Sequence, residues 1–170
     1  MAVIERHHDD GATRSSALYS ACETYRYALT REWAEGPRLV WVMLNPSTAD
    51  ERRNDPTIAR CERRARLLGY GAFRVVNLFA FRATRPQDLK AASAPIGPLN
   101  DATLHAAAAW GSAILCGWGI HGGLKGRGPA VLDLLRSTGR PLYHLGLTAG
   151  GAPRHPLYLS YDKQPQAYTS

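Results

Sequence analysis

A chain of 170 residues and 18.6 kDa is the size of one domain. With 45% hydrophobic against 21% charged residues it can bury a core, which excludes general disorder. The net charge of +7 and pI near 9.7 point to an anionic partner, a nucleic acid or nucleotide, although basic surfaces also occur on enzymes that never meet one. No apolar leader opens the chain and no run approaches the ~20 apolar residues of a membrane span, so a cytoplasmic protein is expected. Cys22, Cys61 and Cys116 lack paired spacing. They predict reduced thiols and no zinc or iron–sulfur framework, and nothing in the sequence asks for a metal or cofactor.

One domain is read over residues 1–170. Residues 1–16 are polar and read as a flexible lead or an edge segment, with His7-His8-Asp9-Asp10 a solvated terminus rather than a metal site. Between Glu23 and Trp33, Tyr25, Tyr27 and Leu29 alternate with Arg26, Ala28 and Thr30, the period of a half-buried strand. Glu35-Gly36-Pro37 separates it from Arg38–Leu44, an apolar run that reads as a strand buried on both faces. The two are expected to pair antiparallel, the earlier one nearer an edge.

Asn45-Pro46 follows at once. Proline fixes its own φ and holds Asn45 extended, so the amide projects at a defined angle; the bland alternative is a plain turn. Asp55-Pro56 predicts an N-cap and first helical residue, with a helix to about Leu68 that turns Ile58, Cys61, Ala65 and Leu68 inward. Arg60, Arg63 and Arg64 share its outer face, joined by Arg52 and Arg53. They either hold a phosphate backbone or form a solvated face on which Glu62 pairs with Arg66.

Phe73–Phe79 is the next strand, and Asn77 near its carboxyl end either braces a loop or reads a ligand. Phe79 and Phe81 either stack on a base or pack in the core. Residues 80–98 form a long connection, and Asn100-Asp101 caps a helix through Trp110. Strand 112–118 enters the glycine-rich, basic Gly119–Gly128 loop, which carries His121, Lys125 and Arg127 and opens onto a helix at Pro129. Its amides could cradle a phosphate, though neither established glycine motif is present. Strand 141–147 delivers a rim loop that ends in His155-Pro156-Leu157-Tyr158. Strands alternating with helices predict an α/β protein, a three-layer α/β/α sandwich with a mainly parallel central sheet. In that topology Asn45, Asn77 and His155 lie beyond strand ends on one rim, where such sheets bind ligands.

Leu44-Asn45-Pro46, Val76-Asn77-Leu78 and His155-Pro156 resemble, in order and placement, the uracil-DNA glycosylase superfamily. Asn45 matches the asparagine of the Gly-hydrophobic-Asn-Pro-Gly motif of its mismatch-directed branch, which positions the attacking water. Asn77 resembles the strand-end asparagine that reads a flipped pyrimidine. His155-Pro156-Leu157 resembles a shortened form of the closing His-Pro-Ser loop with its inserted leucine. Met43 and Ser47 stand where that branch has glycines, and Leu157 replaces the serine. The stretch from Met43 to Tyr158 is also similar to the bacterial domain of unknown function 1643 family, which implies no established activity.

The resemblance implies a uracil-DNA glycosylase-like fold and hydrolysis of an N-glycosidic bond. Asn45 and His155 would be catalytic, the first orienting water and the second stabilising the leaving base. Asn77, Phe79, Pro46 and Ser47 would contact the base. Leu157 or Tyr158 would plug the gap left by the flipped nucleotide, and Lys125, Arg127, Arg60, Arg63 and Arg64 would grip phosphates. Asp50 and His121 are secondary candidates. The rivals are a non-catalytic nucleic-acid or nucleotide binder and a small-molecule enzyme using the same rim.

Overall fold

The computed structural model describes residues 2–169 and holds eight strands in one sheet. In chain order the elements are β1 (Val3–Asp9), β2 (Arg14–Ser20), β3 (Arg26–Glu32), β4 (Arg38–Met43), α1 (Pro56–Leu67), β5 (Ala72–Asn77), α2 (Pro86–Ala91), α3 (Asn100–Trp110), β6 (Ala113–Cys116), α4 (Arg127–Ser137), β7 (Leu142–His144) and β8 (Gln166–Ala167). The strands lie in the order β1-β2-β3-β5-β4-β6-β7-β8.

The expected mainly parallel sheet in a three-layer sandwich is overturned. The sheet is mixed: β4 pairs in parallel with β5 and β6, and β6 with β7, but the pairings β1–β2, β2–β3, β3–β5 and β7–β8 are antiparallel. The miss has a physical cause. Residues 1–16, expected to be a lead or an edge segment, contribute edge strand β1, most of whose side chains face solvent and so carry no apolar period. Its turn into β2 is tied by aspartates: Asp9 accepts from the Gly11 N–H at 2.8 Å, and Asp10 from those of Ala12 and Thr13 at 2.9 and 2.8 Å. β3 is accordingly an interior strand, and its neighbours are β2 and β5 rather than β4.

Apolar side chains fill both faces of the sheet. Val40, Val42, Val76 and Ile114 pack with Leu104 of α3 and Val131 and Leu135 of α4 on one face. Leu39, Trp41, Phe73, Val75 and Leu115 pack with Ile58, Cys61 and Ala65 of α1 on the other. Helix α1 starts as its sequence dictates: Asp55 Oδ1 accepts from the Ile58 N–H at 2.9 Å, and Pro56 follows in the first turn. Asn100 does not cap α3. It is the first residue of that helix and its side chain turns into the sheet.

One irregularity in β3 matters for the site. Leu18 faces Ala28 but Tyr19 faces Arg26, so Tyr27 is the extra residue of a β-bulge. The bulge shifts the alternation. Tyr27 comes to lie beside Tyr25, ring centroids 6.0 Å apart, and Arg26 joins the face on which Tyr19 and Leu29 pack.

Candidate active site

Beyond the carboxyl ends of β4 and β5, on the α1 face, lies a cavity of about 390 Å³. β4 leaves toward α1 on one face of the sheet while β5 leads on to α3 on the other, and a crevice at the ends of parallel strands is the usual ligand position in open α/β sheets. Asn45, Asn77 and His155 all line it, together with Arg26, Asp55 and Ser47. Met43 and Asn77 face each other across the β4–β5 pairing, so the two strand ends are level and both open into the cavity.

Asn77 is 1% exposed, and neither its Oδ1 nor its Nδ2 has a hydrogen-bond partner in the protein. A buried amide with both ends unpaired costs about 1–3 kcal/mol in measured systems, so it is an unusual group to keep in a core. The backbone around it is, by contrast, fully tied. Asn100 Nδ2 donates to the carbonyls of Asn77 and Leu78 at 2.8 and 3.0 Å, and Arg127 Nε donates to the Leu78 carbonyl at 2.8 Å.

Asn45 Nδ2 donates to the carbonyls of Ala83 and Pro46 at 2.7 and 3.0 Å. Its Oδ1 is left as an acceptor. His155 Nδ1 accepts from the Leu157 N–H at 3.1 Å, so the neutral ring carries its proton on Nε2. Burial holds this imidazole below the ordinary histidine range, with Asp55 pulling the other way. The turn bearing it can approach the sheet because Gly117 has no Cβ: one there would come within 3.2 Å of both Met43 Sδ and Pro156 Cδ.

Arg26 was missed as a site residue. It is 1% exposed, NH1 donates to the Ala49 carbonyl at 2.7 Å, and Nε has no partner. Burial lowers its pKa to about 10, against the influence of Asp55 and Tyr19, which leaves it charged at neutral pH. In the sequence, Asp55-Pro56 signals only a helix cap. Asp55 also accepts from the Ala49 N–H through Oδ2 at 3.3 Å and lines the cavity. The Asp55 signal was in the sequence; that for Arg26 was hidden by the bulge.

Other expected site residues lie elsewhere. Phe79 is fully buried in the core on the α3/α4 face, and Pro46 is buried with its carbonyl accepting from Asn45 Nδ2 and the Ala83 N–H. Leu157 lines the cavity, but Tyr158 beside it is 93% exposed. Lys125 is exposed on the glycine-rich loop. Arg127 is buried against the Leu78 carbonyl and Asp101, so it is spent inside the fold.

The arginines of α1 need the same correction. Arg64 is 2% exposed and donates to the carbonyls of Lys163, Ser160 and Leu159 at 2.9, 3.0 and 3.3 Å; Arg60 also donates to Leu159. Arg60, Arg63 and Arg64 all lie over the Tyr161 ring, and only Arg63 of the three is exposed. The apparent outer face of α1 is therefore covered by the C-terminal segment. Glu62 does pair with Arg66, at 3.1 Å. Asp50 accepts from the Arg52 and Arg53 N–H groups, both at 2.8 Å, as a loop-forming residue; it and His121 stand outside the cavity lining.

No group of three or more His, Cys, Asp or Glu side chains suited to a metal ion occurs among the described residues, and no described helix is long and apolar enough to cross a membrane. No curated protein and no solved structure matches the chain significantly. Residues 26–157, a segment that contains every residue lining the cavity, match the family described as "Protein of unknown function (DUF1643)", and the chain belongs to that family.

Proposed function

We propose that the cavity binds a nucleobase and that the protein hydrolyses an N-glycosidic bond. The observation that carries this reading is the Asn77 amide, buried with donor and acceptor both unpartnered on a residue that lines a cavity of about 390 Å³. A nucleobase edge presents the complementary acceptor and donor side by side and would satisfy both. The order Asn45, Asn77, His155 along the chain, parallel to that of uracil-DNA glycosylases, supports it further.

In this reaction water attacks C1′, the C1′–N bond breaks, and its electron pair leaves with the base. Asn45 Oδ1, the free end of an amide whose Nδ2 is held by Ala83 and Pro46, accepts from the water and aims it. His155, neutral and with its proton on Nε2, donates to the base as negative charge gathers there. The water proton passes to solvent and the base is reprotonated from solvent.

A duplex is one substrate; free nucleosides, nucleotides and single strands are a second. Arg60, Arg64 and Arg127 favour the second, because their donors are already used within the fold. The test is release of free base from uracil-, hypoxanthine- and mismatch-containing oligonucleotides and from the corresponding nucleosides. Release lost in Asn45→Ala and in His155→Ala supports the enzyme. Salt-sensitive binding without release leaves a non-catalytic binder, and neither release nor binding refutes the reading.

A further inference from the structure

We propose that Arg26 receives negative charge on the bound heterocycle, so that the cavity favours acidic, imide-type bases and holds them as their anions. The inference rests on the nucleobase reading above and extends it to the charge of the ligand.

Three observations carry it. First, Arg26 is buried without an ion pair among the described residues, and its Nε is unpartnered while the side chain lines the cavity. A charge kept in such a place is costly unless something of opposite sign meets it. Secondly, the side chain is there only because of the bulge at Tyr27; regular alternation would send it to the opposite face from Leu29. Bulges that re-aim one side chain are typical beside active sites. Thirdly, the groups around it select among anions. Asn77 Oδ1 lacks a donor and Asp55 is a carboxylate, and both residues line the same cavity. Phosphate offers mostly acceptors and a more concentrated negative charge, so both groups disfavour it. An ionisable imide base offers an N–H or ring nitrogen beside a carbonyl oxygen and carries one diffuse negative charge at most.

Besides Asp55, the titratable and charged groups that act on the guanidinium are Tyr19, Arg31 and Arg82, and His155 also lines the cavity. Asp55 and Tyr19 support the positive charge, while Arg31 and Arg82 oppose it.

The experiment is titration of the full chain with uracil, 5-nitrouracil, cytosine and inorganic phosphate, with the ionisation of bound 5-nitrouracil followed by its absorbance. An opposite charge in contact moves a pKa by about 1–3 units. 5-Nitrouracil should therefore ionise at least about one unit lower when bound, and bind at least about tenfold more tightly than cytosine. In Arg26→Gln that shift should vanish while weak, Asn77-dependent binding of uracil persists. Arg26→Lys, which keeps the charge, should retain it in part. If Arg26→Gln does not fold, the wild-type absorbance shift still decides the matter. Bases that bind without any shift, or with the same shift in Arg26→Gln, overturn this inference and leave the nucleobase reading standing. Phosphate binding in preference to every base, or no binding at all, overturns both.

Discussion

Asn100 holds the backbone of Asn77 from another element: its Nδ2, at the start of α3, donates to the Asn77 carbonyl at 2.8 Å and to that of Leu78 at 3.0 Å. The residue that lines the cavity is thus fixed by one that is fully buried and outside the lining. Replacing Asn100 by alanine removes the side-chain donor of the Asn77 carbonyl and one of the two at the Leu78 carbonyl, which keeps Arg127 Nε. A loss of about 1–3 kcal/mol in denaturant unfolding is expected, with weaker uracil binding. Unchanged stability would show that the bracing contributes nothing.

Asn77 itself should behave in the opposite way. Its amide has no partner to lose, so Asn77→Leu exchanges an unpaired polar group for an apolar one of similar volume. The expected result is stability equal to or about 1 kcal/mol above that of the parent, together with loss of base binding and turnover. Equal losses of stability and binding would identify Asn77 as a structural brace.

Arg64 and Arg63 occupy neighbouring positions with different duties. Arg64→Met removes the donor for the Lys163, Ser160 and Leu159 carbonyls and should cost about 2–3 kcal/mol. Arg63→Met removes only an exposed cation over Tyr161 and should cost about 0.5–1 kcal/mol or less. Hydrogen exchange should rise across residues 159–168 in the first variant alone. If both variants lose nucleic-acid affinity without losing stability, the helix face binds phosphate after all.

Acid should destabilise the fold through two histidines. Burial lowers the pKa of His155 and of His144 below 6.5, Lys163 adding to the effect at His144 and Asp55 opposing it at His155. In each case Nδ1 accepts a backbone N–H, from Leu157 and Gly146 respectively. The unfolded chain therefore binds more protons between the folded values and 6.5. Stability is complete above 6.5, falls as the pH drops through that window and levels off beneath it. Urea midpoints measured over this range should flatten in His144→Gln and in His155→Gln; parallel curves for parent and variants would place the acid sensitivity elsewhere.

The parts of the molecule that were legible in the sequence are those whose signal is local. Asp55-Pro56 announces a helix start by itself, and Asn45 and Asn77 stand out as polar residues at the ends of apolar runs. What was illegible depends on a partner. β1 is recognisable only once β2 lies beside it, and β8 is two residues long. The direction of Arg26 depends on how β3 registers against Tyr19, which no periodicity within β3 reveals. Arg64 looked solvated because the segment that covers it arrives about a hundred residues later.

The extra residue in β3 also makes strand length a control on chemistry. Inserting one residue between Leu18 and Tyr19 of β2 would give Tyr27 a partner, restore regular alternation in β3 and hand the guanidinium to the layer where Ala28 and Leu78 now pack. The composition would hardly change, yet one side of the sheet would gain an ion with nothing to meet it and the other would lose its cation. In this chain a single codon gained in β2 would thus move a charge through the protein from one layer to the other, whereas loss of Tyr27 would leave Arg26 facing Tyr19.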